Sequence, residues 1–126
     1  MPKFHPGERR QVTVLFCDIV GFVGISSNVD QDELLELINA CCEVVNREIE
    51  SFQGSIADYL GDGIMAYFGY PLTGEEAACN AVRAALKLSE ELSALEGLPG
   101  QPIQTRIGIA TGVVIIKNFT FGLQLT

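Results

Sequence analysis

Ser55-Ile56-Ala57-Asp58-Tyr59-Leu60-Gly61-Asp62-Gly63-Ile64-Met65-Ala66-Tyr67-Phe68 decides the fold. Two short apolar runs, Ser55 to Leu60 and Ile64 to Phe68, flank Gly61-Asp62-Gly63. Asp-Gly between such runs predicts a hairpin, because both residues tolerate the left-handed backbone of a tight turn. Gly69-Tyr70-Pro71 breaks the second run. Upstream, Leu34, Leu37, Ile38, Cys41, Val45, Ile49 and Phe52 recur at steps of three and four, which is one face of a helix from Asp30 to about Phe52. Asp30 followed by Glu33 has the pattern of a capping box, and Gly54 is placed to end the helix. Before it, Gln11 to Asp18 reads as a strand whose Val12, Val14, Phe16 and apolar neighbours predict burial on both faces. That strand runs out into Ile19-Val20-Gly21-Phe22-Val23-Gly24, a loop by its two glycines. Downstream, Thr73 with Glu76 opens a second helix along Ala78, Val82, Ala85, Leu88, Leu92 and Leu95, closed by Gly97-Leu98-Pro99-Gly100. Ile103 to Thr111 is a last extended run.

The order β-α-β-β-α-β predicts an α+β fold, the ferredoxin-like split unit, with an antiparallel sheet covered by two helices on one face. A right-handed crossover makes the first two strands parallel and inserts the third between them, running the other way. Asp18 ends the first strand and Asp62 lies in the turn that begins the third, so both carboxylates are expected at one end of the sheet. Carboxylate oxygens suit hard cations such as Mg²⁺ or Mn²⁺, which are often held by one or two carboxylates together with substrate phosphates. The glycines of the Ile19–Gly24 loop let backbone N–H groups approach phosphate oxygens. Spacing alone leaves a second account open, in which strand-end aspartates bond turn backbone and an Asp-Gly hairpin serves no ligand.

The chain has 126 residues, the size of one domain, and 48 % of them are hydrophobic, as in a globular protein. Sixteen acidic against eight basic residues give a net charge of −8 and exclude a basic nucleic-acid-binding face. A phosphorylated small molecule remains compatible if a divalent cation stands between it and the protein. Four cysteines without metal-ligand spacing and a single histidine, His5, exclude a zinc site and read as reduced thiols. The apolar runs are too short for a membrane span, and Met-Pro-Lys-Phe-His has no signal core, which predicts a cytoplasmic chain. Residues 1–10 form a polar lead, 11–116 the domain, and 117–126 an atypical tail in which Phe119, Phe121, Leu123 and Leu125 alternate with polar or small residues.

Three blocks, in order, resemble the catalytic domain of class III adenylyl/guanylyl cyclases of bacterial type. They are Glu8-Arg9-Arg10-Gln11-Val12-Thr13-Val14-Leu15-Phe16-Cys17-Asp18-Ile19-Val20-Gly21-Phe22, the stretch Tyr59 to Pro71 preceded by Gly54, and Arg106-Ile107-Gly108-Ile109-Ala110-Thr111-Gly112. The resemblance implies that Asp18 and Asp62 are catalytic, metal-binding aspartates and that the Ile19 carbonyl is a further metal ligand. It also implies that Gly21 and Phe22 sit in the loop wrapping the triphosphate, and that two Mg²⁺ or Mn²⁺ ions act with the nucleotide. The implied reaction turns ATP or GTP into a 3′,5′-cyclic nucleotide and pyrophosphate in intracellular signalling, at a site shared with a second cyclase domain as homo- or heterodimer.

Three features depart from that pattern. Asp58 stands four residues before Asp62, where the family commonly has a purine-reading lysine. Val23 follows Gly21-Phe22, where threonine is common. The resemblance stops after Ile116, so the family's later purine-reading residue and its transition-state asparagine and arginine have no counterpart in these 126 residues. The expectation is therefore a C-terminally shortened domain with little activity alone. The rival reading is a non-catalytic cyclase-like module that binds nucleotide or a partner domain. A diguanylate cyclase or polymerase-palm relative lacks its own Gly-Gly-Asp/Glu-Glu-Phe run. Arg47, Arg83, Lys87 and Arg106 read as surface charges.

Overall fold

Strand β1 (Glu8–Ile19) starts before the apolar run and ends one residue beyond Asp18. The computed structural model describes residues 8–60, 63–70 and 74–116. The polar lead through residue 7, Gly61 and Asp62 of the hairpin turn, Thr73 of the expected helix start, and the 117–126 tail lie outside the described residues. After β1 come α1 (Phe22–Asn28), α2 (Gln31–Ser51), β2 (Gly54–Leu60), β3 (Gly63–Phe68), α3 (Ala77–Leu92), β4 (Glu96–Leu98), β5 (Gln101–Pro102) and β6 (Thr105–Ile116).

The main sheet has the order β2-β3-β1-β6, with every neighbouring pair antiparallel. Strands β1 and β2 therefore run parallel with β3 between them, which is the ferredoxin-like arrangement that the element order predicts. Register pairs Leu15 with Ala66 and Ile109, and Cys17 with Ile64 and Ile107. Side chains opposite one another share a face. Leu15, Cys17, Ile64, Ala66 and Phe68 form one core with Cys41, Val45 and Ile49 of α2 and Ala81, Ala84, Leu88 and Leu92 of α3. Both long helices thus cover the same face, and Arg47 of α2 pairs with Glu91 of α3 across their seam.

The other face of β1 is buried as the apolar pattern predicts only at Val12, which is 2 % exposed. Val14 is half-buried and Phe16 is 46 % exposed, because no described helix covers the side on which they stand. Their register partners there are Tyr67 and Met65 on β3 and Ala110 and Gly108 on β6.

Five local expectations change. The Ile19–Gly24 segment is only partly loop: Gly21, at φ 70°, is the N-cap of α1 and Phe22 its first residue. Asp30 does cap α2, but its carboxylate accepts from the Asp32 N–H at 3.1 Å, and Glu33 contributes no reciprocal bond. The left-handed residue that ends α2 is Gln53, at φ 68°, not Gly54. In α3 the buried stripe is Ala81, Ala84, Leu88 and Leu92, whereas Val82 points outward at 48 % exposure and Ala78 is exposed. Leu95 lies beyond the helix, and Gly97-Leu98-Pro99-Gly100, expected to close it, belongs to the β4–β5 hairpin.

Candidate active site

Alternation along β1 sends Leu15, Cys17 and Ile19 to the helix face and Val14, Phe16 and Asp18 to the open face. Asp18 therefore stands at the sheet's end on the uncovered side. Its partner on one flank is Gly63, the first residue of β3, and on the other Arg106 of β6. The glycine is required there: a Cβ on Gly63 would lie 2.9 Å from the Cys17 carbonyl oxygen and 3.1 Å from the Asp18 Cβ. Asp62 immediately precedes Gly63 in sequence and lies outside the described residues.

Arg106 is the feature that the sequence reading passed over as a surface charge. Its Nε donates to Asp18 Oδ1 at 3.2 Å and its Nη2 to Oδ2 at 3.4 Å, a two-pronged grip on the carboxylate. The pair is solvent-accessible, with side chains 73 % and 40 % exposed. Eighty-eight residues separate the partners, so only the β1–β6 register brings them together.

A cleft lined by Phe16, Asp18, Gly63, Arg106 and Gly108 opens beside this pair. Among the described residues, Gly108 and Gly112 on β6 meet nothing within 4 Å where a side chain would stand. Asp58 belongs to the same face. It pairs with Met65, which pairs with Phe16, and a register shift between Ile56 and Asp58 puts a bulge in β2 just before it. The Asp58 carboxylate accepts from the Tyr59 N–H at 2.8 Å.

Of the loop residues, Ile19 is half-buried toward the core and pairs with Thr105, and the Val20 N–H donates to the Gln104 carbonyl at 2.8 Å. The Gly21 carbonyl accepts from Ile25 N–H at 3.1 Å, which fixes the turn into α1. On the helix side of Asp18, a small apolar cavity is bounded by Cys17, Ile19, Phe22, Cys41 and Tyr59. Burial, with smaller contributions from Asp18 and Cys41, pushes the Cys17 thiol up from 9.0 to about 11. Burial and Cys42 push Cys41 up to about 11 as well. Both are neutral, inert thiols near neutral pH.

The donor chemistry fits a hard divalent cation. Among the described residues no cluster of three or more His, Cys, Asp or Glu side chains could hold a metal. A cation of the magnesium type uses one or two carboxylates and leaves its remaining positions to water and phosphate. The Asp18 carboxylate is accessible and stands beside a glycine.

Residues 4–121 match the family model described as the adenylate and guanylate cyclase catalytic domain. An adenylate cyclase of Anabaena cylindrica is 33 % identical over 115 residues, which are 89 % of this chain and 23 % of that protein. The crystal structure of the guanylyl cyclase Cya2 superposes with a TM-score of 0.81 at 31 % identity, over 90 % of this chain and 59 % of that one. The adenylyl cyclase CyaB from P. aeruginosa gives 0.83 at 28 %, over 91 % and 62 %. The chain thus spans under a quarter of that curated relative and about three fifths of these solved domains. With the fold, the order of its motifs and these matches in agreement, the chain belongs to the adenylate and guanylate cyclase catalytic-domain family.

Proposed function

We propose that this domain contributes the metal-binding half of a site converting ATP or GTP into a 3′,5′-cyclic nucleotide and pyrophosphate. The observation that carries the reading is Asp18, an accessible carboxylate on the uncovered sheet face, flanked by Gly63 and Arg106. In this reading Asp18, Asp62 and the Ile19 carbonyl hold two Mg²⁺ or Mn²⁺ ions, and Gly21 and Phe22 line the triphosphate. The ions supply charge neutralisation at the phosphates and lower the pKa of the attacking ribose 3′-hydroxyl. The exposed Arg106 guanidinium, with its fixed fork of donors, suits phosphate oxygens beside Asp18.

The bare face around Phe16 is where a second cyclase domain docks and brings the remaining groups. Val14, Phe16, Met65 and Tyr67 give that face its apolar centre, while Gly108, Ala110 and Gly112 keep it flat. No described helix is long and apolar enough to cross a membrane, and free thiols Cys17, Cys41, Cys42 and Cys79 suit a reducing, cytoplasmic setting.

The second reading, a regulatory module without turnover, is favoured by one observation: Asp58 puts an acceptor where a base-reading donor is common. Two experiments separate them. Calorimetry with Mn²⁺ and a non-hydrolysable triphosphate is expected to show binding in the wild type and none in Asp18→Ala; equal binding sinks the site assignment. Product assays on residues 1–126 alone are expected near background, since each absent transition-state donor costs on the order of a hundredfold to a thousandfold. Mixing with a domain that carries the complementary half but lacks the aspartates is expected to restore turnover. Silence in the mixture favours the regulatory module.

A further inference from the structure

Of the seven residues of α1 only Ile25 is buried. The polar side chains around it bond their own turn. Ser26 and Ser27 Oγ donate to the Val23 carbonyl at 3.1 and 2.8 Å, and Asn28 Nδ2 donates to the Gly24 carbonyl at 2.7 Å. Bonds of this kind close within the helix and do not tie it to the sheet. Ile25 lies instead against the β4–β5 hairpin, in a hollow that exists because position 97 carries no side chain. A Cβ on Gly97 would stand 2.6 Å from Ile25 Cδ1, 3.1 Å from Ile25 Cγ1 and 3.1 Å from Ile103 Cδ1. Ile103 is 1 % exposed and its N–H donates to the Leu95 carbonyl at 2.8 Å, so the floor of the hollow cannot swing into solvent. Gly97 itself falls at the register shift between the Glu96–Pro102 and Leu98–Gln101 pairs. The residue that fills the hollow also donates its N–H to the Gly21 carbonyl, so it is bonded directly to the turn at Gly21 and Phe22.

We propose that Gly97 and Ile25 are positioning residues for the nucleotide: the bare backbone of the hairpin seats Ile25, and Ile25 holds α1 and the Gly21–Phe22 turn at the depth the triphosphate needs. This rests on the reading of Gly21 and Phe22 as triphosphate-lining residues. Two opposite changes, a carbon added to the hollow and carbons removed from the side chain that fills it, then have one consequence in α1. The first can also be compensated. Ile25→Val lacks the Cδ1 atom that the Gly97→Ala methyl meets first, so the double variant seats the helix better than Gly97→Ala alone. A purely structural contact would move the urea midpoint and leave the nucleotide affinity of the folded protein unchanged.

The test reads α1 and the nucleotide separately on the 126-residue chain. Hydrogen exchange at the Ile25 and Val29 amides, which donate to the Gly21 and Ile25 carbonyls, reports whether α1 is seated. Calorimetry with Mn²⁺ and a non-hydrolysable triphosphate reports the site, and the urea midpoint shows that each variant is folded. Gly97→Ala is expected to speed exchange in α1 and to weaken the triphosphate, each roughly tenfold, a change within the cost of overpacking. Exchange in α2 is expected to stay as it was. Ile25→Ala, which empties the hollow without a clash, is expected to give the same two changes. Ile25→Val in the Gly97→Ala background is expected to recover most of both. Gln101→Ala, exposed in the same hairpin, is expected to match the wild type. Unchanged exchange in both Gly97→Ala and Ile25→Ala overturns the seat. Faster exchange with unchanged triphosphate affinity overturns the positioning role, as does a double variant no better than Gly97→Ala. Asp18→Ala separates the two levels. Loss of the triphosphate there, with Gly97→Ala and Ile25→Ala silent, defeats only this inference, whereas unaltered binding in Asp18→Ala defeats the site reading itself.

Discussion

Gly54→Ala adds one carbon at a point where the core has no room for it. Gly54 opens β2 and pairs across the sheet with Phe68. A Cβ at Gly54 would stand 2.6 Å from Phe68 Cε2, 2.8 Å from its Cζ and 3.0 Å from Ile49 Cγ2. Phe68 is 1 % exposed and Ile49 0 %, so neither can swing into solvent. Overpacking of this kind costs about 1–3 kcal/mol. The stiffer alanine returns about 0.5–1 kcal/mol by losing less backbone entropy on folding. The net expectation is a loss of roughly 1–2 kcal/mol, a sizeable part of the ~5–15 kcal/mol that holds a domain together. Urea unfolding followed by circular dichroism should show a lower midpoint at unchanged slope. The neighbouring change has the opposite sign. Gln53 holds the left-handed φ of 68°, so Gln53→Gly relieves strain and raises the midpoint slightly. If Gly54→Ala matches the wild type, or Gln53→Gly proves the more damaging of the two, the close-packing account of this corner is wrong.

Four further outcomes follow. Phe16→Glu, on the uncovered face, should leave urea stability within about 0.5 kcal/mol while abolishing association with a second cyclase domain in sedimentation; unaltered association would remove that face from the interface. Because folded Cys17 and Cys41 ionise only near pH 11 whereas unfolded thiols ionise near 9.0, stability present below pH 9 should fall as pH rises from 9 toward 11. At pH 8 a thiol reagent should label the exposed Cys79 ahead of both, as peptide mapping can show. In an assembled active pair, the acceptor-only Asp58 carboxylate should favour guanine, whose edge presents N–H donors, over adenine by roughly tenfold; competition between GTP and ATP analogues that reverses on Asp58→Lys would bear this out, and parity would refute it.

The elements announced by strong local signals were legible. The Ile64–Phe68 strand after Asp-Gly and the Asp30-capped α2 stand where their turn and cap chemistry puts them. Helix α1 was not, because seven residues show no period and Gly21 and Gly24 look like breakers. The α3 stripe was misplaced for a different reason. Helix α3 packs against β1, β3, β6 and α2, and close approach selects Ala81 and Ala84 for the buried side, leaving the more hydrophobic Val82 outside. Hydrophobicity ranks residues by transfer from water and says nothing about how near two backbones must come.

The open face was hidden by the same limit, since an apolar strand side reads alike whether a helix or another domain is meant to cover it. Arg106 was hidden by register, which no local pattern states. Yet register is also what makes the site follow from the core. Burying Cys17, Ile64 and partly Ile107 under the helices fixes one row of the sheet. The next residue of β1 and the preceding residues of β3 and β6 must then face the other way or stand at the sheet's end. Those are Asp18, Gly63 and Arg106. A slip of one residue would turn the carboxylate and the guanidinium under α2 and α3 and expose Leu15 and Cys17, exchanging buried apolar area for buried charge. The packing that stabilises the domain therefore also holds Asp18 outward, accessible at the end of the sheet.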